Sequence, residues 1–238
     1  MKNCIAASLI ILFFLTASGY AGMFEGLSSG TNPEPKGAPA DKSAASGLKE
    51  ALSIGASNAI TSVSKKDGYF SNEMIKIPIP EKIRKATDVL KKAGFQKQVD
   101  DFVLSMNRAA EKAAPQAGSI FSKAITEMSI DDAEKILKGG DTAATEYFKS
   151  KTFDQLYAAF NPIISSSMND VGATRAYKEM MGKYESIPFM KKESVDLDNY
   201  VTNKALDGIF YMLGQEEKKI RTNPAARVTD LLKTVFGK

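Results

Sequence analysis

The sequence predicts an all-α protein, an irregular multi-helix bundle with at most one short extended segment or a minimal two-stranded ribbon near residues 75–79. Apolar residues recur every three or four positions along most of the chain, which is the period of an amphipathic helix. Glycines and prolines separate these stretches. Only Ile75–Pro80 alternates in the manner of a strand, and its two prolines restrict it to a sheet edge or an extended brace.

Residues 1–21 have the features of a secretory signal peptide. Lys2 provides the positive start, Ile5–Leu15 is a short apolar run, and small residues lead up to a predicted cleavage after Ala21. Cys4 precedes the apolar run, whereas the cysteine of a lipoprotein would follow it, so we do not expect lipidation. We therefore expect an exported, periplasmic protein that is soluble after cleavage and has no transmembrane segment.

Residues 22–45 are rich in glycine, proline, serine and alanine and are predicted to be a flexible linker, because they contain few apolar side chains that could offset the entropy of ordering. Residues 46–238 are predicted to form a single helical domain. Within it, the spacing of apolar residues predicts helices over Ser46–Lys66, Glu81–Ala93, Gln96–Ala114, Gln116–Met128, Ser129–Lys138, Asp141–Lys149, Thr152–Met168, Ala173–Tyr184, Asp198–Arg221 and Pro224–Phe236.

Helix boundaries are predicted from local signals. Pro80 suits the first turn of the second helix, and Gly94 suits its end. Ser129 and Asp132 have the spacing of a capping box, with aspartate in the last position. Pro162 should kink the helix that contains it or split it in two.

Composition excludes several kinds of chemistry. The chain has no histidine and one cysteine, Cys4, which lies in the predicted signal peptide. Nucleophilic triads that need imidazole, catalytic thiols and zinc or iron sites with sulfur or imidazole ligands are therefore excluded from the mature domain. A metal would need oxygen ligands, and we expect no cofactor. The formal net charge of +4 is spread along the chain without a block of like charges, so we expect no nucleic-acid partner.

The densest group of polar residues lies near the C-terminus. Tyr200, Asn203, Lys204 and Asp207 are three or four residues apart, so a helix would place them on one face, as candidates for ligand binding. Asp196, Asp198 and Asp207 could surround an oxygen-coordinated cation. The alternative is that Asp196 or Asp198 caps the helix and that Lys204 pairs with Asp207.

Two further groups are candidates for ligand binding. Asn107, Arg108 and Glu111 could contact a ligand or meet Lys204 and Asp207 across a helix interface, or they could instead form a network within and between helices. Arg221 and Arg227 flank the junction of the last two helices and could bind an anion at a helix N-terminus. The alternative is that they pair with neighbouring carboxylates at positions 216, 217 or 230.

Several blocks of sequence resemble a known family, and they are Asp67–Phe70, Ile75–Pro80, Met106–Glu111, Met128–Glu134, Ala143–Phe148, Asp196–Phe210 and Pro224–Arg227. Over about residues 47–237 the chain resembles the bacterial family of domain of unknown function 4197. The resemblance implies an exported bacterial protein with one helical domain. It implies no activity.

Three functions are compatible with the sequence. The first is a non-catalytic domain that binds a small ligand, a lipid or a protein partner of the bacterial envelope. The second is an enzyme based on carboxylates, with Mg²⁺ or Ca²⁺ as a possible metal. The third is a structural or assembly factor of the envelope.

Overall fold

The computed structural model of the chain describes residues 40–170, 172–186 and 195–223. This part is almost entirely helical, and no strand occurs in it, which confirms the predicted all-α class. The α-helices are α1 (Ala40–Ser64), α2 (Glu81–Leu90), α3 (Gln96–Ala113), α4 (Ala117–Glu127), α5 (Ile130–Lys138), α6 (Ala143–Asp170), α7 (Ala173–Glu185) and α8 (Leu197–Thr222). A π-helical turn, Lys91–Phe95, joins α2 to α3, and a 3₁₀ turn, Ala114–Gln116, joins α3 to α4. The predicted signal peptide and the helix predicted over residues 224–236 lie outside the described residues.

Helix α8 lies at the centre of the packing. It runs along α6 and α1, and α3 packs against α6 and also contacts α8. Aromatic rings fill this core: Phe121 contacts Phe148 and Phe210 at centroid distances of 5.2 and 6.1 Å. Gly55 on α1 faces α8, where the nearest side chains are those of Ile220 and Glu216. The positions of the groups on α3 and α8 follow from this arrangement.

Two helix boundaries differ from the prediction. Helix α1 begins at Ala40 and includes residues 40–45, which were predicted to be linker; alanine favours the helix here, and Ala45 is buried in the core. The two helices predicted over residues 141–149 and 152–168 form one helix, α6, which continues through Pro162. Proline removes one backbone hydrogen bond, but the fully buried Phe160 and Ile164 on either side of it keep the helix packed.

Local signals for other boundaries are confirmed. Ser129 and Asp132 form the predicted capping box, with the Asp132 amide donating to the Ser129 hydroxyl over 3.0 Å. Gly94 has a φ of 92°, a left-handed conformation that glycine adopts without strain, and it marks the kink between α2 and α3. The segment predicted to be extended is not part of a ribbon in the described structure: Ile75 lies in a turn and residues 76–80 have no regular secondary structure. We call residues 75–80 the brace. No helix in the described ranges is long and apolar enough to cross a membrane.

Candidate functional site

Asn107 makes hydrogen bonds to the backbone of the brace, of the kind that a neighbouring strand would make in a sheet. Its Oδ1 atom accepts from the Ile77 amide over 2.8 Å, and its Nδ2 group donates to the Ile77 carbonyl over 3.0 Å and to the Val103 carbonyl over 2.8 Å. Asn107 and Ile77 are both fully buried. One amide side chain thus satisfies both polar backbone groups of Ile77, which would otherwise be buried without partners. Asn107 is therefore a structural residue that holds the brace against α3.

Arg108 and Glu111 hold the turn that follows α1. The Arg108 guanidinium donates to Glu111 and to Asp67, each over 2.6 Å, and Glu111 Oε1 accepts from the amides of Tyr69 and Phe70 over 3.1 and 3.3 Å. Partial burial works against the charged guanidinium, but the hydrogen bonds to the two carboxylates outweigh it and raise the pKa of Arg108. The three residues predicted on α3 therefore form a network between helix and loop, the alternative that the sequence had left open.

Tyr69 extends this network to α8. Its ring is fully buried and its hydroxyl donates to the Ala205 carbonyl over 2.7 Å. Burial, together with the negative charge of Glu111, raises the pKa of Tyr69 well above its ordinary value. Gly208 makes room for the ring, since a Cβ there would lie 2.5 Å from the Tyr69 Cε1 atom.

Arg221 forms a largely buried ion pair with Glu217. Its Nη2 group donates to Glu217 over 2.8 Å and to the Ile136 carbonyl, near the end of α5, over 2.9 Å. The Glu217 carboxylate in turn accepts from the amides of Ala144 and Thr145 at the start of α6, each over 2.9 Å. A protein carboxylate thus occupies the N-terminus of α6. The helix N-terminus at which an anion site was predicted, that of residues 224–236, lies outside the described residues. Arg227, the other half of this prediction, lies outside the described residues.

Most of the remaining candidates for ligand binding line one groove. It has a volume of about 600 Å³. One wall is formed by the end of the brace and the first turn of α2, and the other by the first turns of α8. We call it the Tyr200 groove, and its lining residues are Pro78, Ile79, Pro80, Glu81, Lys82, Arg84, Val195, Asp196, Asn199, Tyr200, Asn203, Lys204 and Asp207. Tyr200, Asn203, Lys204 and Asp207 thus share one face, as their spacing predicted.

Tyr200 joins the two walls of the groove. Its hydroxyl donates to the Pro78 carbonyl over 3.1 Å. Burial and the negative charge of Glu81 raise the pKa of Tyr200, while the nearby Arg84 acts in the opposite direction. The tyrosine is therefore a neutral hydrogen-bond donor at neutral pH.

Two of the three aspartates predicted as metal ligands have other side-chain partners. Asp196 caps α8, accepting from the Asn199 amide over 3.0 Å, and Asp207 pairs with Lys204 over 3.6 Å. The Asp198 carbonyl accepts from a threonine hydroxyl one turn further on. Within the described ranges no group of three or more acidic, histidine or cysteine side chains is placed to hold a metal ion. These three aspartates do not form a cation site in this structure.

The groups on α3 and α8 do not meet as a single site. Lys204 and Asp207 line the Tyr200 groove, whereas Asn107, Arg108 and Glu111 are not among its lining residues. Asn107 and Glu111 instead bind backbone groups of the loop between α1 and α2.

A family model described as Protein of unknown function (DUF4197) matches residues 38–237. The chain belongs to this family. The match covers the whole described part of the DUF4197 domain and begins two residues before α1. No curated protein and no solved structure matches the chain.

Sequence reasoning missed one wall of the groove in this DUF4197 domain. Pro78, Ile79 and Arg84 were assigned to the brace and to α2 and were not named as candidates for ligand binding. Asn199 was missed as well, although it lies one turn before Asn203 on the same face, which is a signal that could have found it. The pairing of the two walls joins residues more than a hundred positions apart, and no spacing rule predicts such a contact.

Proposed function

We propose that this chain is an exported binding protein of the bacterial envelope and that the Tyr200 groove is its ligand site. The observation that carries the proposal is the convergence of Tyr200, Asn203, Lys204 and Asp207 with the end of the brace on one concave surface. A concave surface with an apolar wall and a few convergent polar groups is the usual form of a binding site. We propose binding without catalysis, because polar groups of the groove have structural roles: Asp196 caps α8, Lys204 pairs with Asp207, and Tyr200 binds the brace.

The construction of the groove supports a binding role. The Asn107 network fixes the brace from α3, and the Tyr200 hydroxyl fixes it from α8. Both walls therefore stand on rigid elements, which lowers the entropy that binding would cost. The lining also combines apolar side chains, such as Pro78 and Val195, with the amides of Asn199 and Asn203.

Export is supported by the N-terminal residues. Lys2, the apolar run Ile5–Leu15 and the small residues before position 22 have the order of a secretory signal. Edman sequencing or intact-mass analysis of the protein isolated from the periplasmic fraction tests this part. We expect a mature chain that begins near Gly22, whereas a full-length chain in the cytoplasmic fraction would contradict export.

Photo-crosslinking in the native cells tests the groove as ligand site. Lys204 is half-exposed in the groove, with 45% of its side chain accessible, so a photoreactive amino acid can replace it without disturbing the core. The matched control is position 97, an exposed lysine on α3 that pairs with Asp101 and lies outside the groove. Mass spectrometry would identify what is attached to each.

We expect one defined adduct from position 204 and none of the same mass from position 97. No adduct at position 204, or the same adduct at both positions, would contradict the proposed site. The outcome does not depend on knowing the ligand in advance.

A further inference from the structure

We propose that the ligand of the Tyr200 groove is a segment of a partner protein in extended conformation, bound through its main chain. This inference rests on the proposed function and names the chemical class of the ligand. Four observations support it: an adjoining cleft, a pair of free amide groups, the spacing of that pair, and the balance of charges.

A second open cleft continues the groove. It has a volume of about 710 Å³ and shares Pro78, Ile79 and Arg84 with the Tyr200 groove. Its other lining residues include Phe70 on the loop and Val103 on α3. The two concave surfaces therefore adjoin along the end of the brace. Two adjoining open surfaces fit a linear chain better than a compact small molecule, which binds in a site that encloses most of its surface.

Asn199 and Asn203 offer one donor and one acceptor to a ligand. The Asn203 Nδ2 group donates to the Asn199 carbonyl over 2.8 Å and also to Asn199 Oδ1, which the Tyr157 hydroxyl contacts as well over 3.2 Å. These bonds fix the orientation of both side-chain amides. In the described structure, Asn199 Nδ2 and Asn203 Oδ1 have no partner. A donor and an acceptor side by side match the C=O and N–H groups of a peptide.

The distance between these two groups suits an extended peptide. The two side-chain amides lie next to each other, because Asn203 Nδ2 contacts Asn199 Oδ1 one helical turn away. In an extended chain, the N–H and C=O groups of one residue point to the same side. A peptide lying along α8 can thus place the carbonyl and the amide of one residue at Asn199 and Asn203, as Ile77 does at Asn107. A sugar chain offers hydroxyls without this alternation, and it matches the pair less well.

The charges of the groove indicate a ligand without a strong net charge. Its acidic residues are Glu81, Asp196 and Asp207, and its basic residues are Lys82, Arg84 and Lys204. Two of the cations already have partners, since Arg84 pairs with Glu81 and Lys204 with Asp207. The second cleft repeats this balance with three acidic and three basic residues, Glu73, Asp88, Asp100, Lys76, Arg84 and Lys91. Such a surface does not favour a polyanion or an anionic membrane.

The test uses peptides selected on the chain as the cell produces it. A displayed library of random 12-residue peptides is selected on the immobilised protein, and the recovered peptides are measured by fluorescence anisotropy against the native chain and Asn199→Asp. The substitution removes the free donor but retains the oxygen that Tyr157 and Asn203 contact. A carboxylate in the first turn of α8 is also favoured by the helix dipole, so we expect the variant to fold.

We expect Asn199→Asp to weaken peptide binding about tenfold or more, because the peptide carbonyl then faces an acceptor. The matched control is Asn169→Asp, which adds the same charge at an exposed position outside the groove, and we expect it to bind like the native chain. Equal affinity for the native chain and Asn199→Asp would overturn the inference, as would a library that yields no peptide bound at the groove.

A parallel titration with N-acetylglucosamine oligomers, followed by the amide NMR shifts of Asn199 and Asn203, separates this inference from the function on which it rests. Shifts with the sugars and no peptide binder would overturn the peptide class and leave the groove as ligand site. Failure of the proposed function is detected independently, as the absence of a specific adduct at position 204.

Discussion

Replacing Asn107 by leucine tests how strongly α3 holds the wall of the groove. Leucine has the same branched shape as asparagine but is larger and makes none of its three hydrogen bonds. The Val103 carbonyl remains inside α3, where the helix satisfies it. The amide and the carbonyl of Ile77, which is fully buried, lose their only side-chain partner.

The magnitude of the effect follows from these two backbone groups. Each buried polar group left without a partner costs about 1–3 kcal/mol. Burial of the added methyl groups of leucine offsets part of this cost, since each buried CH₂ contributes about 0.8 kcal/mol. We therefore expect Asn107→Leu to lower the free energy of unfolding by about 2 kcal/mol. This is a large fraction of the 5–15 kcal/mol typical of a domain.

Urea unfolding with linear extrapolation measures the loss of stability, and hydrogen exchange of the Ile77 amide locates it. We expect the Ile77 amide to be protected from exchange in the native chain. In Asn107→Leu we expect it to exchange faster than in the native chain, and faster than the amides of the α8 core of the same variant. The control is Asn169→Leu at an exposed position, which we expect to stay within about 0.5 kcal/mol of the native chain. A loss of less than about 1 kcal/mol for Asn107→Leu, with the Ile77 amide still protected, would refute the reasoning.

Three further predictions address other contacts. Glu217→Gln should lower the free energy of unfolding by about 3 kcal/mol, because it breaks a buried ion pair and places an amide against the N-terminus of α6; calorimetry measures the loss. Gly208→Ala should cost about 1–3 kcal/mol in urea unfolding despite the better helix propensity of alanine, because the new methyl group overlaps the buried Tyr69 ring. The pKa of Asp132 lies below its ordinary value because the side chain and the amide of Ser129 donate to it, so Ser129→Ala should raise that pKa in an NMR titration.

Each of these predictions has a control or a contradicting result. An unchanged melting temperature for Glu217→Gln would show that the pair does not connect α5 to α6. Gly118→Ala on α4, where no atom lies within 4 Å of the new methyl group, should be neutral or stabilising, and equal losses at both glycines would contradict the steric argument. For Ser129, the sign is fixed: a depressed carboxyl pKa stabilises the fold above about pH 4 and loses this effect in acid. The stability difference between the native chain and Ser129→Ala should therefore shrink as the pH falls, and a constant difference would contradict it.

Local signals predicted much of this fold from the sequence. The capping box at Ser129 and the glycine at position 94 each specify a boundary through groups within four residues, and both are where the sequence placed them. Pro162 shows the limit of such rules. Its cost is local, but the packing of Phe160 and Ile164 that outweighs it is tertiary and is not visible from the neighbours of the proline.

For the candidate site, too, the sequence predicted what depends on local spacing and not what depends on tertiary contacts. Helical spacing placed Tyr200, Asn203, Lys204 and Asp207 on one face, and the structure shows them along one groove. The partner of Asn107 lies thirty residues away in a segment without regular structure, so its role could not be read from α3 alone. Polar residues on helices therefore have to be sorted by what they contact, because the same residue types serve as structural links on α3 and as groove lining on α8.

The most direct test of the central claim is the yield of the photo-crosslinked adduct from position 204 in native cells, compared between the otherwise native chain and Asn199→Asp. Asn169→Asp serves as the control for the added charge. If the Tyr200 groove is the ligand site, the yield falls in Asn199→Asp and is unchanged in Asn169→Asp, while the free energies of unfolding stay close together. Equal yields in all three chains would contradict the claim that this groove binds the ligand.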